Sequence, residues 1–181
     1  MKNLEVNTCS ARNLDQYANL GVTHLLSIDA PNHPTTTPTW FKGVHRHVIF
    51  QDVESEREAA RYQAKAPAPS DVQDFLKFGR ECLQAAEHKP VHLLIHCTEG
   101  ASRSPAAAYA IVALAMGAGK EAAALNYVTT RNTNALPNAL VVSLADQALE
   151  RGGRLIRALR PLRQAAGDAV DEWINAMKKS K

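Results

Sequence analysis

Cysteine is scarce in this 181-residue sequence: three residues, at positions 9, 82 and 97, odd in number and without paired spacing, so no disulfide framework is indicated. No apolar run is long enough to span a membrane. The opening "MKNLEVNTCSARN" holds no apolar signal core, and with the cysteine usage this makes a reducing cytoplasm the expected compartment. A large excess of charge of one sign is also absent, with 21 basic and 18 acidic side chains. The net charge is +3, which is weak support for a nucleic-acid partner, and none is expected. Residues 1–150 carry 13 basic and 15 acidic side chains, and residues 151–181 carry 8 against 3, so the basic surplus belongs to the tail. There is no internal repeat. What is present, 45% apolar residues in a chain of this length, suits one compact domain that folds without a disulfide or a structural metal.

Short apolar runs alternate with helical patterns. "LEV" (4–6), "VTHLLSI" (22–28), "VHRHVIF" (44–50) and "VHLLIH" (91–96) read as strands. An amphipathic stretch through Leu14, Tyr17 and Leu20, ending at Gly21, reads as a helix. So does the segment from Ser70, with Gln73 as its capping-box partner and Val72, Phe75, Leu76, Gly79 and Leu83 as an apolar face. Further helices are expected over 105–116, 120–131 and 138–151. These are βα units, and the expected fold class is α/β, with a central, mainly parallel sheet flanked by helices and a C-terminal helical extension. Two segments, "PNHPTTTPT" (31–39) and "ESEREAARYQAKAPAP" (54–69), resist the pattern and read as long loops beyond strand ends, where the ligand crevice of such a sheet lies. Their length points to a lid role.

The chemistry concentrates in "HCTEGASRS" (96–104), set between a strand and a helix whose first turn holds Pro105. A loop wrapped at a helix N-terminus turns backbone N–H groups inward, and the helix dipole adds to them an anion-attracting field. Thr98, Glu99, Gly100, Ala101 and Ser102 would line this cradle, Gly100 relieving the tight backbone. Arg103 would supply a planar fork matching two phosphate oxygens at once. The same field favours the thiolate of Cys97, the nucleophilic form of the side chain. Ser104 is placed to hydrogen-bond that sulfur and ease its departure as a leaving group.

In this context the loop resembles the active-site signature of the cysteine-dependent protein tyrosine phosphatases, in particular their small dual-specificity-like branch. The "LPN" at 136–138, followed by "ALVVSLADQAL", looks like the Pro-Asn helix start of that branch, and "RNTNALPNALVVSLADQALERGGR" also resembles bacterial members. The resemblance covers residues 4 to about 158, giving a phosphatase domain over 1–158 and a helical tail over 159–181. It implies metal-independent hydrolysis of phosphomonoesters, on a phosphoprotein or a small phosphoester, with no cofactor and with phosphate or vanadate as active-site anions. Cys97 would attack phosphorus, Arg103 and backbone amides would hold the equatorial oxygens, His96 would brace the loop and Asn138 would buttress it. Asp52, directly after the "VHRHVIF" strand, takes the family's general-acid place. Asp29, also at a strand end, is its rival, and the spacer from Asp52 to Cys97 is longer than in compact members. The lack of lysine within "CTEGASR" argues against multiply phosphorylated inositol lipids.

Other residues read as structural. His45 and His47 lie two apart without a completing ligand set, Asp71 reads as a first-turn helix acid, and Cys9 and Cys82 read as buried thiols. Arg151, Arg154, Arg157, Arg160 and Arg163 read as a solvated basic face, with Pro161 expected to end or kink their helix. Val170, Trp173, Ile174 and Met177 form a further apolar stripe. Two other functions stay open at this stage: a catalytically weak phosphoprotein-binding module, and a sulfurtransferase of the rhodanese kind.

Overall fold

The computed structural model describes residues 2–179, with side chains as far as residue 169. Four strands, β1 (Leu4–Ser10), β2 (His24–Asp29), β3 (Val44–Ile49) and β4 (Val91–Cys97), form an all-parallel sheet in the order β1-β4-β2-β3. The α/β architecture follows from strand composition. β2 and β4 are buried at every position, as central strands covered on both faces must be. The register sets Ser10 opposite Cys97 and Ser27 opposite His96, so the carboxyl ends of three strands converge on the loop after β4.

Alternation divides the core. Leu26, Ile28, Leu93 and Ile95 face a thick layer built from α2 (Pro69–Ala86), α3 (Arg103–Met116), α4 (Glu121–Arg131), α5 (Ala139–Ala148) and the start of α6 (Arg154–Lys179). Leu25, Leu94 and Cys9 face a thin layer of Leu14, Phe41, Tyr17 and Trp40. α3 is the central helix, buried from Arg103 to Ala113, and its alanines let neighbouring helices approach closely. Gly79 does the same for α2, since a Cβ there would lie 2.9 Å from Ile111. Tyr109, fully buried, donates its hydroxyl hydrogen bond to the Leu155 carbonyl of α6 at 3.2 Å.

Several expectations need correction. The segment through Leu14 is a 3-10 helix (Ala11–Tyr17) followed by a turn, not an α-helix. Residues 54–69 are not all loop: α1 (Glu56–Tyr62) lies within them, its Glu58 N–H bonded to the Ser55 hydroxyl at 3.1 Å, and left-handed Gln63 ends it. α2 starts at Pro69 rather than being capped by Ser70. Proline at the first helical position has no N–H to satisfy, and the Asp71 carboxylate, not Gln73, reaches back to the Ala68 N–H at 2.9 Å. Thr35 and Thr37 bond Asp29 and His45, tying residues 31–39 down onto β2 and β3. Pro161 neither ends nor breaks α6, which runs on to Lys179. Residues 158 and 159 both lie within this helix, whose Leu155 and Leu159 are core residues. The stripe of Val170, Trp173, Ile174 and Met177 lies outside the described side chains. Among the described residues, no helix is long and apolar enough to cross a membrane.

Candidate active site

β4 ends at Cys97 and α3 begins at Arg103, and the residues between them wrap around the sulfur. Cys97 is 1% exposed. Its Sγ accepts from the Gly100 N–H at 3.3 Å and lies 3.3 Å from the Ser104 hydroxyl. Gly100 has φ +72°, and a Cβ there would sit 2.5 Å from the Cys9 carbonyl carbon and the Ser10 nitrogen, so both conformation and space call for glycine. Replacement by alanine incurs left-handed strain of about 1–2 kcal/mol in addition to the clash. Gly100→Ala is expected to lower the melting temperature by roughly 5 °C or more. An unchanged melting curve would contradict this.

The carbonyls of the loop are anchored outward. Ala11 N–H donates to Thr98 at 3.3 Å, Asn132 Nδ2 to Gly100 at 2.8 Å, Leu136 N–H to Ala101 at 2.7 Å, and Asn138 N–H to Ser102 at 3.3 Å. In a planar trans peptide the C=O and the next N–H point in opposite directions. Anchoring these four carbonyls therefore turns the N–H groups of Glu99, Ala101, Ser102 and Arg103 away from the anchors, as an anion cradle requires. The Glu99 side chain pairs with Arg12 at 3.1 Å in an exposed ion pair that contributes little to stability.

Arg103 is 4% exposed and latched from two sides. Nη1 donates to the Phe50 carbonyl at 3.0 Å and Nη2 to the Thr98 hydroxyl at 2.8 Å, while Nε is buried without a hydrogen-bond partner. The nearest carboxylate to that Nε is Asp52, at 3.8 Å. Asp52 also accepts from the Ser102 hydroxyl at 2.6 Å and from Asn138 Nδ2 at 2.9 Å. Fully buried Asn138 further donates to the Val53 carbonyl and caps α5 by accepting the Val141 N–H. Asp52 thus stands beside the loop. Asp29 is buried instead against β3 and residues 31–39, with His47 Nδ1 at 3.1 Å and the Thr35 hydroxyl at 2.8 Å on its two oxygens.

His96 is buried on the thin-layer side, its Nε2 2.6 Å from the Ser27 hydroxyl, and that hydroxyl lies 2.7 Å from His45 Nε2. A single hydroxyl proton lets Ser27 donate to one ring and accept from the other. His45 and His47 therefore have structural partners, Ser27 with Thr37 and Asp29 respectively. Burial pushes the His96 pKa down to about 4. Burial, then the neighbouring His47, does the same to His45. Both lie below the unfolded value of about 6.5, so between about pH 6.5 and 4 the unfolded chain binds protons that the folded chain refuses. Stability is full above that window and falls as pH drops through it. Thermal melts between about pH 7.5 and 4.5 should show this decline, with a shallower slope in His96→Gln; a level melting temperature would refute it.

Burial also pushes the Cys9 and Cys82 thiols up to about 12, keeping both protonated at neutral pH, and all three cysteines are free. Cys9 belongs to the thin layer and Cys97 to the thick one, so the sheet separates their side chains. The sequence reading missed Asn132, whose amide joins Gly100 to the Thr8 hydroxyl, and Ser27 between the two histidines.

The sequence matches no family model and no curated protein. Solved structures do share the fold. Human DUSP28 aligns with a TM-score of 0.59 at 20% identity, over 83% of this chain and 93% of its own. DUSP15 aligns with a TM-score of 0.59 at 18% identity, over 91% and 92%. The human tyrosine phosphatase-like serine/threonine/tyrosine-interacting protein aligns with a TM-score of 0.56 at 20% identity, over 77% and 84%. The chain has the fold of these proteins, at identities where likeness speaks to architecture alone.

Proposed function

We propose that this protein is a phosphomonoester hydrolase, acting as a protein tyrosine or dual-specificity phosphatase through a cysteinyl-phosphate intermediate. The observation that carries the reading is the pairing of a buried sulfur, facing the Gly100 N–H and Ser104 hydroxyl at 3.3 Å each, with the latched guanidinium of Arg103 on the same loop. The sharing of a fold with dual-specificity phosphatases supports it.

In the first step the Cys97 thiolate attacks phosphorus in line, forming the S–P bond as the P–O bond to the leaving group breaks. Asp52, in its protonated form, gives its proton to the departing oxygen. In the second step water attacks phosphorus, passes a proton to the Asp52 carboxylate, and the S–P bond breaks, returning the thiolate, which the Ser104 hydroxyl stabilises. Charge on the transferring group is met by Arg103 and by the N–H groups of Glu99, Ala101, Ser102 and Arg103, turned away from their anchored carbonyls before substrate arrives. Preorganised donors of this kind are the largest single contribution in most enzymes.

The test is hydrolysis of p-nitrophenyl phosphate and of a phosphotyrosine, phosphoserine and phosphothreonine peptide panel, with and without EDTA. Turnover unaffected by EDTA and competitively blocked by vanadate is expected. Phosphopeptide binding without turnover would mark a binding module, and thiosulfate-to-cyanide sulfur transfer would mark a sulfurtransferase; either would replace the reading.

A further inference from the structure

The acid-bearing segment is held at a second point, two residues beyond Asp52. The Glu54 carboxylate accepts the Ala139 N–H on Oε2 at 2.9 Å, and its Oε1 takes Nη1 of Arg163 at 3.2 Å. The same Nη1 lies 3.1 Å from the Pro137 carbonyl. Residues 137–139 are those whose Asn138 amide grips Asp52 Oδ1 and the Val53 carbonyl. One guanidinium nitrogen on the C-terminal helix therefore bridges the loop carrying the candidate acid, just after β3, and the segment that orients it.

The distribution of α6 contacts gives the bridge its significance. Arg154 on the same helix pairs with Glu121 instead. Arg163 and Glu54 are both about a third exposed, where an ion pair adds little to global stability. What the bridge supplies is geometry: with Asn138 on one side and Arg163 on the other, residues 52–54 cannot shift away from the phosphate loop without breaking two anchors.

We propose that Arg163 is a positioning residue, clamping residues 52–54 against 137–139 so that the Asp52 carboxyl stays within reach of the leaving oxygen. This rests on the phosphatase reading, with Asp52 as its acid. The helix read from sequence as a solvated basic face thereby becomes part of the catalytic apparatus at one of its arginines.

The experiment compares kcat/KM for phenyl phosphate, whose leaving group needs a proton, with that for p-nitrophenyl phosphate, whose leaving group departs readily as an anion. Misplacing a general acid affects the first more than the second. In the full chain, Arg163→Ala should lower the phenyl phosphate value about tenfold and the p-nitrophenyl phosphate value less than about twofold. Glu54→Ala should show the same split, the double variant should be no worse than either single one, and Arg163→Lys should recover part of the loss. Equal losses on both substrates, or additive losses in the double variant, would overturn the clamp while leaving the phosphatase reading intact. Absence of Cys97-dependent turnover in the wild type would overturn both.

Discussion

Cys97→Ser is expected to lower turnover of any aryl phosphate by more than about 10⁴-fold while leaving the anion site able to bind vanadate or phosphate. The substitution changes one atom. A serine hydroxyl at this position is a far weaker acid than a thiol and would reach phosphorus almost wholly protonated, and an alkoxide is a poorer leaving group from the intermediate. Within the cradle only the Gly100 N–H and the Ser104 hydroxyl meet the sulfur, and a serine oxygen can take their hydrogen bonds. Arg103 is held by the Phe50 carbonyl and Thr98 hydroxyl, and the loop carbonyls by Ala11, Asn132, Leu136 and Asn138. Calorimetric titration with phosphate should therefore give an affinity near that of the wild type. Residual hydrolysis at a comparable rate would show that the nucleophile lies elsewhere.

Asp52→Asn should reduce kcat/KM about 10²- to 10³-fold for phenyl phosphate and much less for p-nitrophenyl phosphate. The amide is nearly isosteric, and its oxygen can still accept from Ser102 and Asn138, so the loop keeps its shape while losing the transferable proton. The pH profile carries the sign. A general acid works only while protonated, so activity supported by it declines as pH rises, and removing the group should erase that alkaline limb. Asp29→Asn should retain the limb, because that carboxylate is occupied by His47 and Thr35. A profile unchanged in Asp52→Asn would remove Asp52 from the role.

The loop of residues 96–104 was legible in the sequence because its determinants are contiguous: apolar strand, cysteine, glycine, arginine and helix-starting proline within a few turns of chain. The four strands were legible for the same reason, three as apolar runs and "VHRHVIF" as an alternating one, and with them the α/β class. α1 leaves little apolar signal although Ser55 and Glu58 have the capping-box spacing, because its charged run buries only Ala59 and so lacks an apolar stripe. At the start of α2 the same spacing at Ser70 and Gln73 is outweighed by Pro69, which begins the helix. Long-range partners left no trace. That Asn132 reaches Gly100, that Ser27 sits between two histidines and that Arg163 meets Glu54 all depend on strand order and helix docking, which no local pattern encodes.

Asn132 ties the turn after β4 to Thr8 in the first strand, and Asn138 ties it to the segment following the third. Such closures join chain segments about a hundred residues apart, whose entropy is recovered only once most of the molecule has condensed. Refolding should therefore restore helical content before the capacity to hold an oxyanion. The converse follows by mass action: a bound phosphate, favouring only the completed arrangement, would make the first strand and the last helices melt as one.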